Sequence, residues 1–203
     1  MATGAASGAV AIAEEDVLRA QFYRFLARFL AAPPDEALLR LSAGLTGDDT
    51  DVGGALNALA RVAAQATPAT AATEYQDLFI GIGRGELLPY GSYYLTGFLN
   101  EKPLAKLRQD MAALGIARVE KVKEPEDHIA ALCEMMAGLI DGGLGASAGL
   151  GEQRTFFQAH LAPWATRFFE NLETAESAVL YGPVGTLGRL FMAIEATAFR
   201  MEP

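Results

Sequence analysis

Apolar residues recur along this chain at helical spacing, three and four positions apart, over nearly its whole length, and valine and isoleucine are sparse beside alanine, leucine and phenylalanine. Such a pattern predicts helices and offers little to strands. The first helix is expected over 14–31, with Val17, Leu18, Phe22, Phe25, Leu26, Phe29 and Leu30 as its inward stripe, and Pro33 and Pro34 ending it. A short helix follows from Asp35 to about Leu41. The 47–51 loop then supplies an N-cap for a third helix running to about Ala66, and Pro68 starts the next. Further helices are expected at 102–114, 125–140, 152–160, 162–175 and 183–200, with Pro103, Pro125, Pro163 and Pro183 each near a start. The fold class is therefore all-α, a single-domain bundle of roughly eight to ten helices over 14–203, preceded by a flexible N-terminus at 1–13.

Two segments depart from this regularity. Between Gly81 and Gly97 the helical period fails, yet the stretch keeps Leu87, Leu88, Tyr90, Tyr93 and Tyr94 among its glycines, which predicts an ordered, partly buried loop rather than a linker. The other is 124–140, where Pro125 suits a first helical position and Glu124, Glu126 and Asp127 set negative charge against the positive end of the helix dipole. Its apolar stripe is Ile129, Leu132, Cys133, Met136, Leu139 and Ile140. On a second line Asp127, Ala131, Glu134 and Gly138 follow near-helical repeats, so two carboxylates are expected to flank a position open to a cationic group. Asp127 also fits a simple first-turn charge, and His128 a helix-terminal histidine bound to a neighbouring carbonyl or carboxylate.

Composition narrows the function. The 203 residues carry 25 acidic and 16 basic side chains for a net charge of −9, which disfavours nucleic acid as a partner. Cys133 is the single cysteine and sits among apolar positions, so it reads as a buried thiol in a reducing compartment. One cysteine with His128 and His160 does not make a structural zinc site, no Glu-x-x-His pair suggests a di-iron bundle, and no phosphate-cradling loop is present. Neither metal nor cofactor is expected. Catalysis through Asp127 and His128 is disfavoured because neighbours on a helix point about 100° apart. With no export signal at the N-terminus and no apolar run of the roughly 18 to 20 residues that span a bilayer, the expected location is the cytoplasm. Trp164, Phe168 and Phe169 read as core, whereas Tyr75 and Phe79 fit either core or groove lining.

The ordered blocks Glu74-Tyr75-Gln76-Asp77-Leu78-Phe79, Leu88-Pro89-Tyr90-Gly91-Ser92-Tyr93-Tyr94-Leu95, Pro125-Glu126-Asp127-His128-Ile129 with Glu134-Met135-Met136, and Phe157, His160-Leu161, Pro163-Trp164, Phe168 and Phe169 together resemble the TorD/DmsD/NarJ family of molybdoenzyme maturation chaperones, particularly its TorD/DmsD branch. The likeness runs from about Glu14 to Ala198, departing at Leu88 and Gly91. It implies a chaperone without enzymatic turnover that binds the twin-arginine signal peptide of a molybdopterin oxidoreductase, of the formate dehydrogenase or S/N-oxide reductase type, and delays export until the cofactor is inserted. It places Tyr75, Pro89, Tyr90, Ser92, Asp127 and His128 around the peptide groove, with Glu134 added as the second carboxylate. It also implies a monomer or a domain-swapped dimer, for which the loops 81–97 and 141–151 are candidate hinges. The competing reading is a small nucleotide-binding protein or hydrolase using Asp127 and His128.

Overall fold

In a computed structural model, which describes residues 12–118, 123–145 and 147–201, the chain forms ten α-helices in the described residues. They are α1 (Glu14–Ala31), α2 (Glu36–Ala43), α3 (Asp51–Ala63), α4 (Pro68–Tyr75), α5 (Gly91–Thr96), α6 (Lys102–Ala113), α7 (Ile129–Asp141), α8 (Leu150–His160), α9 (Ala165–Glu173) and α10 (Tyr181–Met201). A π-helical turn over Gln76–Ile80 continues α4. The caps explain the starts. Asp35 accepts from the Leu38 amide, Thr50 from Gly53 and Thr67 from Thr70, each meeting a backbone donor that the first helical turn leaves unpaired.

Helix α7 lies at the centre. Its residues are buried nearly all round, and it packs along α1, while α10 packs against α9 and α3. The predicted α7 stripe is buried throughout, Cys133 included, and burial pushes that thiol's pKa well above its ordinary value. The close approach of α9 and α10 depends on Gly188, where a Cβ would fall 2.2 Å from the Phe169 ring.

The inward face of α1 is rotated from the expected stripe. Val17 and Leu18 are exposed, Phe22 and Phe25 are half-buried, and Ala20, Tyr23, Leu26, Ala27, Phe29 and Leu30 are buried instead. A polar network sets this rotation. Arg19 spans both oxygens of Glu195 on α10 at 2.8 Å, and the buried Tyr23 hydroxyl donates to the same carboxylate at 3.0 Å. Pointing Arg19 and Tyr23 inward forces Leu18 outward, because the ion pair must form where Glu195 is 1% exposed.

Two more carboxylates fasten the C-terminal part. Glu74 accepts from the amides of Val179, Leu180 and Tyr181, and Glu86 from those of Glu176 and Ser177. Together they fix the start of α10. The expected flexible N-terminus falls outside the described residues up to position 11, and Ile12 and Ala13 are exposed. The expected loop at 81–97 is partly buried, at Gly85 and Pro89, but its second half is helix α5.

Candidate functional site

The helix expected from Pro125 begins four residues later, at Ile129, with His128 as its N-cap. Backbone pairing across the chain displaces it. Ile129 N–H donates to the Pro89 carbonyl at 2.9 Å and Gly91 N–H to the Asp127 carbonyl at 2.9 Å, which sets Tyr90 opposite His128 in an isolated antiparallel bridge. Residues 126 and 127 form a turn, closed by the His128 N–H donating to the Pro125 carbonyl at 3.1 Å, and the chain meets the 89–91 segment at His128 before α7 begins. Asp127 therefore lies outside α7 and is not on a helix face with Ala131, Glu134 and Gly138, and Leu144 packs closely against Gly138.

Tyr90 and His128 share one face, their ring centroids 5.1 Å apart and nearly perpendicular. The Tyr90 hydroxyl donates to Glu124. Burial, then the hydrogen bond to Glu124 and its charge, raises the Tyr90 pKa, and burial followed by Glu124 raises that of Tyr75. His128 Nδ1 accepts from the Ala130 amide at 3.1 Å, which leaves its proton on Nε2. Burial pushes the His128 pKa down to about 4 against the opposing charges of Glu124 and Asp127.

Asp127, one step along, faces the other way. Its Oδ2 accepts from the Ser92 amide at 2.7 Å, capping α5, while its Oδ1 and the Ser92 hydroxyl are buried with no hydrogen-bond partner among the described residues. A buried carboxylate oxygen without a partner is uncommon and asks for an explanation. Asp127 lines a cavity of about 50 Å³ bounded by α5, α6, α7 and α8, with Leu95, Pro103, Leu107 and Trp164 on its apolar side. Lys106 and His160 also reach it, and both are held by Asp110: Lys106 Nζ lies 2.7 Å from each oxygen and His160 Nε2 is 2.8 Å from Oδ2. Gly91 permits this packing, since a Cβ there would meet the Trp164 indole nitrogen at 3.0 Å.

The structure thus brings together Pro89, Tyr90, Ser92, Asp127 and His128 from two separated segments. Tyr75 stands nearby in a cluster with Phe79 and Tyr181, its hydroxyl donating to the Leu30 carbonyl at 3.2 Å, so this pair belongs to the core as well as to the site's edge. Glu134 does not join them. It is exposed on α7, and its charge acts on Arg24, which is paired with Asp141 beside α1. Sequence reasoning saw Glu124 only as a helix-dipole charge, because nothing local signals its contact with Tyr90. The Asp127–His128 pair is no catalytic dyad, since the two side chains leave opposite faces and His128 Nδ1 is occupied by backbone. No described group of three or more His, Cys, Asp or Glu is placed to hold a metal, and no described helix is long and apolar enough to cross a membrane.

Comparison with known proteins agrees with the blocks read from the sequence. Residues 45–170 match the family described as nitrate reductase delta subunit. Among curated relatives, the chaperone protein TorD of Vibrio cholerae serotype O1 is 31% identical over 128 residues, covering 60% of this chain and 58% of that protein. The chaperone protein TorD of Aliivibrio fischeri is 29% identical over 133 residues, covering 60% of each. The chain thus spans less than two thirds of the length of these relatives. Among solved structures, an Archaeoglobus fulgidus protein provisionally described as a redox enzyme maturation protein superposes with a TM-score of 0.58 at 22% identity, covering 87% of this chain and 94% of that one. At that identity the likeness speaks to the fold, which is all-α in both senses expected above: helices throughout and one bundle.

Proposed function

The chain belongs to the nitrate reductase delta subunit family, the TorD/DmsD/NarJ group of maturation proteins, and from that premise we propose that it is a cytoplasmic chaperone for a molybdopterin oxidoreductase. In this reading it binds the twin-arginine signal peptide of the unfinished enzyme and withholds it from export. The client is of the formate dehydrogenase or S/N-oxide reductase type, and the chain turns over no substrate of its own.

The observation that carries the proposal is Asp127, whose Oδ1 is buried without a partner among the described residues and which lines a small cavity together with Leu95, Leu107 and Trp164. A twin-arginine leader presents guanidinium groups ahead of a moderately apolar stretch. A carboxylate with a free oxygen beside apolar side chains complements that order, because a charge-assisted hydrogen bond away from water is stronger than a neutral one. Lys106 does not compete for Asp127, its ammonium being taken by Asp110. The nucleotide or hydrolase alternative draws no support from a histidine whose Nδ1 is bound to the Ala130 amide and a carboxylate that faces away from it.

Calorimetry with a synthetic twin-arginine leader tests the proposal. Binding that weakens when both arginines become lysines, and weakens again in Asp127→Asn with helix content intact, is the expected result. No binding of the native leader, or equal binding of the lysine version, would overturn it.

A further inference from the structure

We propose that the second carboxylate of the peptide site is Glu124, so that two adjacent cationic side chains of an extended peptide are received on opposite faces of the Tyr90–His128 bridge, one by Glu124 and one by Asp127. This rests on the leader-binding reading above.

Three carboxylates stand within four residues of the segment that enters α7, and the fold treats them differently. Glu126 is buried and already neutralised by the chain, with Arg108 at 2.8 Å and Arg118 at 3.1 Å. Glu124 and Asp127, on either side of it, pair with no lysine or arginine among the described residues. Each is held instead by a neutral donor from the facing segment: the Tyr90 hydroxyl donates to Glu124 and the Ser92 amide to Asp127. Each keeps a second oxygen with no hydrogen-bond partner among the described residues, and that of Asp127, a residue lining the cavity, is buried. The two acids therefore combine positional restraint with unspent negative charge.

Their placement follows from the bridge. Tyr90, His128 and Glu124 gather on one face, where the charge of Glu124 reaches Tyr75, Tyr90 and His128 together. Gly91 and Asp127 line the cavity on the other. A peptide in extended conformation sends neighbouring side chains to opposite sides of its backbone. Two carboxylates on opposite faces of a bridge consequently suit a consecutive pair of cations. Two on one helix face, as Asp127 and Glu134 were expected to be, would suit cations spaced three or four apart.

The test is calorimetry of the full chain and its Glu124→Gln, Asp127→Asn and Glu134→Gln variants with a leader peptide carrying Arg-Arg, and with the two peptides in which one arginine is replaced by glutamine. Glu124→Gln is expected to weaken Arg-Arg binding by about tenfold, the equivalent of one good charged contact, while Glu134→Gln changes it less than twofold. That loss should disappear on one of the single-arginine peptides and persist on the other, with Asp127→Asn showing the opposite preference. Tyr90→Phe, which keeps the ring and frees Glu124, should weaken the same arginine as Glu124→Gln. A loss in Glu134→Gln with none in Glu124→Gln, or equal losses on both single-arginine peptides, overturns the assignment while leaving leader binding intact. Failure of the unaltered chain to bind Arg-Arg at all overturns the leader reading itself.

Discussion

Replacing His128 by asparagine should remove most of an acid sensitivity that the fold builds into its own centre. The imidazole is 7% exposed, caps α7 through Nδ1 and is neutral, its pKa lowered by burial from 6.5 to about 4. In the unfolded chain it takes up a proton near pH 6.5. Between 6.5 and about 4 the unfolded state therefore binds more protons than the folded one, and stability falls as the solution is acidified. At about 1.36 kcal/mol per pH unit, that window corresponds to a loss of ~3 kcal/mol at pH 4, levelling off only below it and absent above pH 7. Asparagine can accept the Ala130 amide as His128 does but has nothing to titrate, so its own cost is independent of pH. Urea unfolding of both proteins at half-unit steps from pH 7.5 to 4 gives the difference directly. Carboxylates that lose stabilising partners in acid contribute to both curves and cancel. A stability difference that stays flat across this range, or an NMR titration placing the His128 pKa at or above 6.5, would refute the argument.

Three other outcomes follow from the packing. Glu195→Gln leaves the Arg19 guanidinium facing a neutral amide in the α1–α10 contact, and should cost about 3 kcal/mol or more in urea unfolding. Gly188→Ala sets a methyl 2.2 Å from the Phe169 ring, and should lower stability by about 1–3 kcal/mol with a corresponding fall in melting temperature. Cys133 should resist a thiol reagent in the native state and react at once in denaturant, because its thiol is inaccessible and its thiolate disfavoured.

How far local pattern carries can be seen by comparing α1 with the stretch before α7. Both ends of α1 were legible, being fixed by an acidic first turn and two prolines, yet its inward face was misread because the partner that turns it, Glu195, lies far away in sequence. Glu124 to His128 carries every local mark of a helix start, and is a bend and turn instead because Pro89 and Gly91 offer hydrogen bonds that no periodicity announces. The site shows the same division. Tyr90, Ser92, Asp127 and His128, named from the blocks that resemble the family, do lie together, but the pairing of Asp127 with Glu134 assumed a helix where there is a turn and a bridge. Glu124 was visible only as a charge because the tyrosine it binds is 34 residues away.

The clasp made by Glu74 and Glu86 on residues 176–181 has a consequence for how a newly made chain matures. Everything between those partners, including the bridge, the cavity and the central helix, lies inside the loop that the clasp closes. Closing so long a loop is entropically modest, but it needs the late residues to exist. A ribosome-bound chain that has not yet released Tyr181 can hold α1 against α7 and still lack the anchoring of α10. Fragments that stop short of residue 181 therefore leave the bridge and the cavity without this closure, and should unfold at lower urea concentration than the 203-residue chain.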